Sequence, residues 1–183
     1  MSEAMIIQYC SPTLAGIKTG NMFTCLFENE CSLKESVRQF NRRYSHKGIR
    51  FLPLRFRDGR ALVYVYRPAR LAGDLQHETA RDILGGCGYN PDLPGGCIRY
   101  LRDKLMSCDS FPHEIGLFLG YPPEDVKGFI EQGAKNCKCF GCWKVYADVD
   151  KAKKSFRQFG KCREVYCRKY AEGCSVEKLI VNM

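Results

Sequence analysis

Residues 49–67 read IRFLPLRFRDGRALVYVYR, and the fold class turns on them. Ile49–Arg57 and Arg60–Arg67 are apolar, aromatic and alternating, the period-two pattern of half-buried strands. Asp58-Gly59 between them is a two-residue turn, because glycine accepts the positive φ that such a turn demands. The stretch therefore predicts a β-hairpin. Simple alternation sets Leu52, Leu54 and Phe56 on one face of the first strand and Arg55 and Arg57 on the other. Pro53 has no N–H to give to a ladder, so this strand belongs at a sheet edge.

Working outward, Ser32 and Glu35 form a capping box that opens a helix. That helix turns Val37, Phe40 and Tyr44 inward and Arg38, Arg42 and Arg43 outward. Further upstream, Ser11-Pro12 has the form of a helix start, with a stripe of Leu14, Ile17, Met22, Cys25 and Leu26 running on to Phe27. Downstream, Pro68 stops the second strand and starts a helix to about Leu84, ended by Gly85-Gly86. A Gly/Pro/Asn-rich loop fills residues 85–96. Helices are expected over Cys97–Met106, His113–Leu119 and from Pro122 to about Gln132. The last has Glu124 and Asp125 in its first turn, where the dipole favours acids. Residues 143–147 (WKVYA) and 176–181 read as strands. Between them a basic amphipathic helix starts at Asp148 or Asp150, breaks at Gly160 and resumes to about Ala171. The sum is an α+β fold, residues 1–183 forming one domain. Its small, largely antiparallel sheet combines the hairpin with the strands near 143–147 and 176–181.

The chain has 183 residues, 45% hydrophobic and 27% charged, enough for a proper core. Disorder, coiled coil and collagen-like structure are excluded as the main architecture. Twenty-nine Lys+Arg against 20 Asp+Glu give +9, which favours acidic partners such as nucleic acid or an acidic protein, unless the basic surface is merely solvated. No apolar window approaches the ~18 residues of a membrane span, and the start lacks the look of a secretory leader. The expected location is cytoplasmic, where the 12 cysteines stay reduced and many serve as small core hydrophobes.

Dinucleotide, phosphate-loop, zinc-protease and serine-hydrolase motifs are absent. Three groups remain as chemical candidates. Cys10 sits directly before Ser11-Pro12, so at a helix mouth its thiolate would be favoured. His113 would be its acid/base, with Glu114 or Lys18 as electrostatic support. The alternative is a buried thiol and a locally bonded histidine. Cys137, Cys139 and Cys142 form a C-x-C-x2-C string that could hold Zn²⁺ or an iron–sulfur cluster, with Cys108, Cys162, Cys167 or Cys174 as fourth ligand. The alternatives are free thiols or a redox pair at Cys139 and Cys142. Finally, Arg55 and Arg57 with Phe51, Phe56, Tyr64 and Tyr66 could bind phosphates and stack bases, if they are not core and solvated surface.

The strings Cys10–Phe23 (CSPTLAGIKTGNMF), Phe111–Pro122 (FPHEIGLFLGYP), Glu124–Ile130 (EDVKGFI) and Trp143–Tyr146 (WKVY) resemble an uncharacterised family of anaerobic bacteria, known as a domain of unknown function. The resemblance covers most of the chain. It brings no activity, but it places Cys10, Lys18, His113 and Glu114 inside the shared strings. It also implies a link to redox or iron physiology and a flavodoxin-like acidic partner. In such families an aromatic residue commonly precedes the tryptophan, so Cys142 departs from the pattern. The best functional expectation is a thiol-dependent enzyme or redox/iron-linked factor. A metal-binding or protein-interaction module and a nucleic-acid binder are the alternatives.

Overall fold

A computed structural model describes residues 1–107 and 110–182. They form two compact units. The first combines residues 1–69 with 159–183, and the second is the continuous stretch 70–158.

In the first unit the hairpin forms as expected: β2 (Arg50–Arg57) and β3 (Arg60–Tyr66) pair antiparallel across Asp58-Gly59. Asp58 and Gly59 both take positive φ, 49° and 68°, the paired left-handed turn whose twist suits a hairpin. Strand order is β1-β3-β2, so Pro53 does lie on an edge strand. Asn41 covers part of that edge: its side-chain amide donates to the Phe51 carbonyl and accepts from the Phe51 N–H, both at 2.8 Å. The expected alternation along β2 fails after Leu54. The register shifts between Pro53 and Arg55, so Phe51 and Phe56 face one way and Leu52 and Arg55 the other.

The third strand, β1 (Gly20–Leu26), comes from a segment expected to be helical. Helix α1 is instead Glu3–Leu14, capped by the Ser2 hydroxyl. Ser11 does not cap a helix; its hydroxyl donates back to the Ile7 carbonyl one turn earlier. Pro12 sits inside α1, and Gly16, with φ 73°, turns the chain out of it. Helix α2 (Glu30–Tyr44) starts earlier than expected, because Asn29 accepts from the Ser32 N–H at 2.7 Å. Ile6, Ile7, Cys10 and Leu14 of α1, Leu33, Val37 and Tyr44 of α2, and Val63 and Val65 of β3 bury together. Residues 176–181 join this core as a short helix, α9 (Val176–Leu179), and not as a strand.

Arg67, 1% exposed, ties the unit together. Its guanidinium donates to the carbonyls of Thr13 (2.7 Å), Leu14 (2.6 Å), Lys47 (3.1 Å) and Val181 (2.9 Å). One planar fork thus serves the end of α1, the 3-10 turn Ser45–Lys47 and the C-terminal segment.

In the second unit the expected helix from Pro68 is split into α3 (Pro68–Asp74) and α4 (Glu78–Gly86). Helix α5 starts at Pro94 and runs to Ser107. Helices α6 (Ile115–Phe118) and α7 (Pro123–Gln132) follow the sequence reading, and Gly133 at φ 57° ends α7. Residues 143–147 contribute β5 (Lys144–Val145), but its partner is β4 (Cys139–Phe140), in a separate two-stranded sheet. Helix α8 (Val149–Ala171) runs unbroken through Gly160, since one glycine costs a helix only about 1 kcal/mol. Among the described residues no helix is long and apolar enough to cross a membrane.

Candidate functional site

The second unit carries a cavity of about 470 Å³, a volume typical of small-molecule sites. Its wall is built from the turn before α6, from α7 and from the β4–β5 hairpin. Phe111, Tyr121, Phe129, Phe140 and Trp143 supply five aromatic rings, and His113, Asp125 and Lys144 are the titratable members of the wall besides Tyr121. The His113 ring meets Phe129 edge-on at 5.0 Å, and Tyr121 lies 5.0 Å from Trp143.

Asp125 holds this wall together. It is 3% exposed and sits in the first turn of α7. One carboxylate oxygen accepts from the backbone N–H groups of Tyr146 and Ala147, each at 2.8 Å. The other accepts from the Trp143 indole N–H at 2.7 Å. Three donors on a carboxylate at a helix N-terminus are a stable way to bury one negative charge. Two glycines permit the packing. A Cβ on Gly128 would come 2.5 Å from the Tyr146 ring, and one on Gly141 2.4 Å from Phe156. Phe156 in turn closes on Trp143, rings 4.5 Å apart. Burial, and then the neighbouring Cys142, push the Tyr121 hydroxyl up to about 12, so it stays a neutral phenol.

Glu114 lies next to His113 but serves another purpose. Its carboxylate accepts from the Tyr89 hydroxyl at 2.9 Å and the Lys104 ammonium at 2.5 Å. It thereby pins the turn before α6 to α5, and the ion pair fixes where His113 emerges. Burial and then the Glu114 charge raise the Tyr89 hydroxyl and the nearby Cys87 thiol.

The other expected site residues fall elsewhere. Cys10 and Lys18 belong to the first unit, His113 and Glu114 to the second. The helix-mouth argument for Cys10 does not carry over, because α1 begins at Glu3 and Cys10 is an interior, fully buried core residue. Burial pushes its thiol up by more than the Lys18 ammonium pulls it down. Lys18 follows α1 in a loop and donates to the Gly20 carbonyl at 2.8 Å. Cys137, Cys139 and Cys142 are spread along the β4–β5 hairpin and its approach. Among the described residues, no three His, Cys, Asp or Glu side chains gather as metal ligands would. Cys108 lies outside the described residues. In the hairpin of the first unit Phe51 and Tyr64 are buried and cannot stack bases, Arg55 is half-buried, and Arg57 is exposed beside Asp58 at 3.4 Å.

Sequence reasoning missed the pocket, apart from His113. Its rings come from separate segments, each holding one or two unremarkable aromatics. The one usable signal was Asp125, whose place in the first turn of α7 suggested dipole pairing and concealed its three hydrogen bonds.

A family model described as "Protein of unknown function (DUF3793)" matches residues 6–180. No curated protein and no solved structure matches the chain.

Proposed function

The chain belongs to the DUF3793 family of proteins of unknown function, and we propose that it acts by binding a small aromatic molecule in the second unit. One observation carries this reading. Phe140 is 81% exposed and Phe111 42% exposed, yet both border a cavity of about 470 Å³ already lined by Tyr121, Phe129 and Trp143. Aromatic surface left in water around an apolar cavity is what a ligand's ring would cover. His113 is the one residue expected from sequence to do chemistry that also lines this cavity.

Thiol chemistry at Cys10 draws less support, because a fully buried thiol pushed up by its surroundings is a poor nucleophile. Zinc or an iron–sulfur cluster at Cys137, Cys139 and Cys142 lacks a gathered ligand set among the described residues. A cytoplasmic location remains part of the proposal and rests on the cysteine-rich composition.

The chain contains a single tryptophan, so its indole N–H gives one identifiable resonance, placed in the pocket wall. Titrating ¹⁵N-labelled protein with a set of one- and two-ring aromatic fragments should shift that resonance saturably. Phe129→Ala should weaken the effect by about tenfold, the loss expected for one packed ring. An indole resonance unmoved by every fragment at millimolar concentration would overturn the proposal.

A further inference from the structure

We infer that the ligand of this pocket is an anion: an aromatic acid whose ring lies among Phe111, Tyr121, Phe129 and Trp143 and whose acid group meets Lys144 and His113. The inference rests on the pocket reading above and adds the ligand's charge. Asp125 is the only acid of the wall among the described residues, and its oxygens are engaged by three protein donors. Its charge is thus held from behind by the α7 first turn and the 146–147 backbone, and it has little left to offer a ligand cation.

The cations are in the opposite state. Among the described residues Lys144 is the only lysine or arginine of the wall. Its ammonium donates to the Ala134 carbonyl at 2.7 Å, which uses one of three protons. Among the described residues it makes no ion pair, nor do Lys135 and Lys138 on the same approach to the hairpin. Lys138 instead donates to the Ala147 carbonyl at 2.8 Å. The acids of α7 that could neutralise this rim lie against other side chains. Glu124 faces His77 at 3.8 Å and Glu131 faces Lys127 at 3.9 Å. His113 contributes a ring that touches Phe129 and has no hydrogen bond among the described residues. A carboxylate can use both the ammonium protons and a ring N–H, a neutral ring uses neither, and a cation would face Lys144.

The test compares two probes of one shape, 1-naphthoate and 1-naphthamide, on the full chain. Calorimetry reads affinity and the indole resonance of Trp143 reads location. The acid should bind about tenfold more tightly than the amide, the value of one charge-assisted hydrogen bond in a half-open site. Lys144→Gln should bring the affinity of the acid down to that of the amide, and His113→Gln should reduce the difference. Raising salt should weaken the acid alone. Equal affinity of the two probes, or an acid preference that survives Lys144→Gln, would overturn the inference and leave the aromatic pocket standing. Failure of both probes to move the indole resonance would overturn both.

Discussion

Replacing Arg67 by methionine is the sharpest test of how the first unit is held. Four carbonyls lose a donor. Thr13 and Leu14 each keep another, from the Gly16 and Val181 N–H groups at 3.1 and 3.0 Å. Lys47 and Val181 keep none among the described residues; both bonds are part-buried, so water takes up some of the loss and each bare acceptor costs about 1–2 kcal/mol. Adding about 0.5 kcal/mol for each of the two weakened bonds gives a gross loss of about 3–5 kcal/mol. Methionine fills most of the volume and removes the cost of burying a cation, offsetting about 1–2 kcal/mol. The net expectation is a loss of about 2.5 kcal/mol, or about 1.2 M in urea midpoint at a slope of about 2 kcal/mol/M. Lysine should be no better than methionine. It keeps the charge but offers a compact, strongly hydrated point where the site demands a fork. Urea unfolding followed by far-UV circular dichroism measures both variants, and Trp143 fluorescence follows the second unit alongside. If Arg67→Met costs under about 1 kcal/mol, or Arg67→Lys retains wild-type stability, the fork argument is wrong.

Three further outcomes are expected. Gly128→Ala should lower the thermal midpoint by the equivalent of about 1–3 kcal/mol although alanine is the better helix former, because its Cβ would sit 2.5 Å from the Tyr146 ring; a raised midpoint in differential scanning calorimetry would show that the ring moves aside freely. In native protein, alkylation read by mass spectrometry should label the exposed Cys31 and Cys142 first and the buried Cys10 and Cys97 last, and Cys10 labelling at the rate of Cys142 would restore it as a reactive thiol. The Lys104 ammonium is pulled down by burial but raised further by its bond to Glu114, so its folded value lies above the ordinary 10.5. The stability from that contact is fully present below pH 10.5 and lost as pH rises through the raised value. The stability gap between wild type and the double variant Lys104→Met/Glu114→Gln should therefore be flat through neutral pH and narrow only in strong alkali, and a gap that closes between pH 6 and 9 in urea titrations would contradict it.

The hairpin was legible because two strong period-two runs meet a dipeptide with one conformational use. Its faces were misassigned from Leu54 onward because a bulge leaves no mark in composition. Ser11-Pro12 misled for a related reason: a serine before proline is the form of a helix start, yet the same serine can bond backwards within a helix. Strand β1 was hidden by an apolar spacing that suits a helix as well, and only pairing with β3 decides between them. At the site, His113 was found because histidine is rare in this chain and chemically conspicuous. The aromatic wall was invisible, because a phenylalanine that will border a cavity looks in sequence like one that will fill a core. Asp125 shows the limit most clearly. Its position on α7 was legible, but its partners at 143–147 lie about twenty residues on and belong to a hairpin whose pairing no local pattern announced.

The split of the first unit between residues 1–69 and 159–183 bears on how the protein is made. On the ribosome, Arg67 emerges well before Val181, roughly 110 residues and about 5–20 s ahead at ordinary elongation rates. During that interval the core of the first unit lacks Val176, Leu179 and Ile180, and the Arg67 Nη2 that will hold both the Leu14 and the Val181 carbonyl has only Leu14. The second unit, continuous in sequence, suffers no such wait. Synthesis therefore leaves the older part of the chain open while the younger part closes, and the first unit is where loss of the last residues of the chain would have its effect.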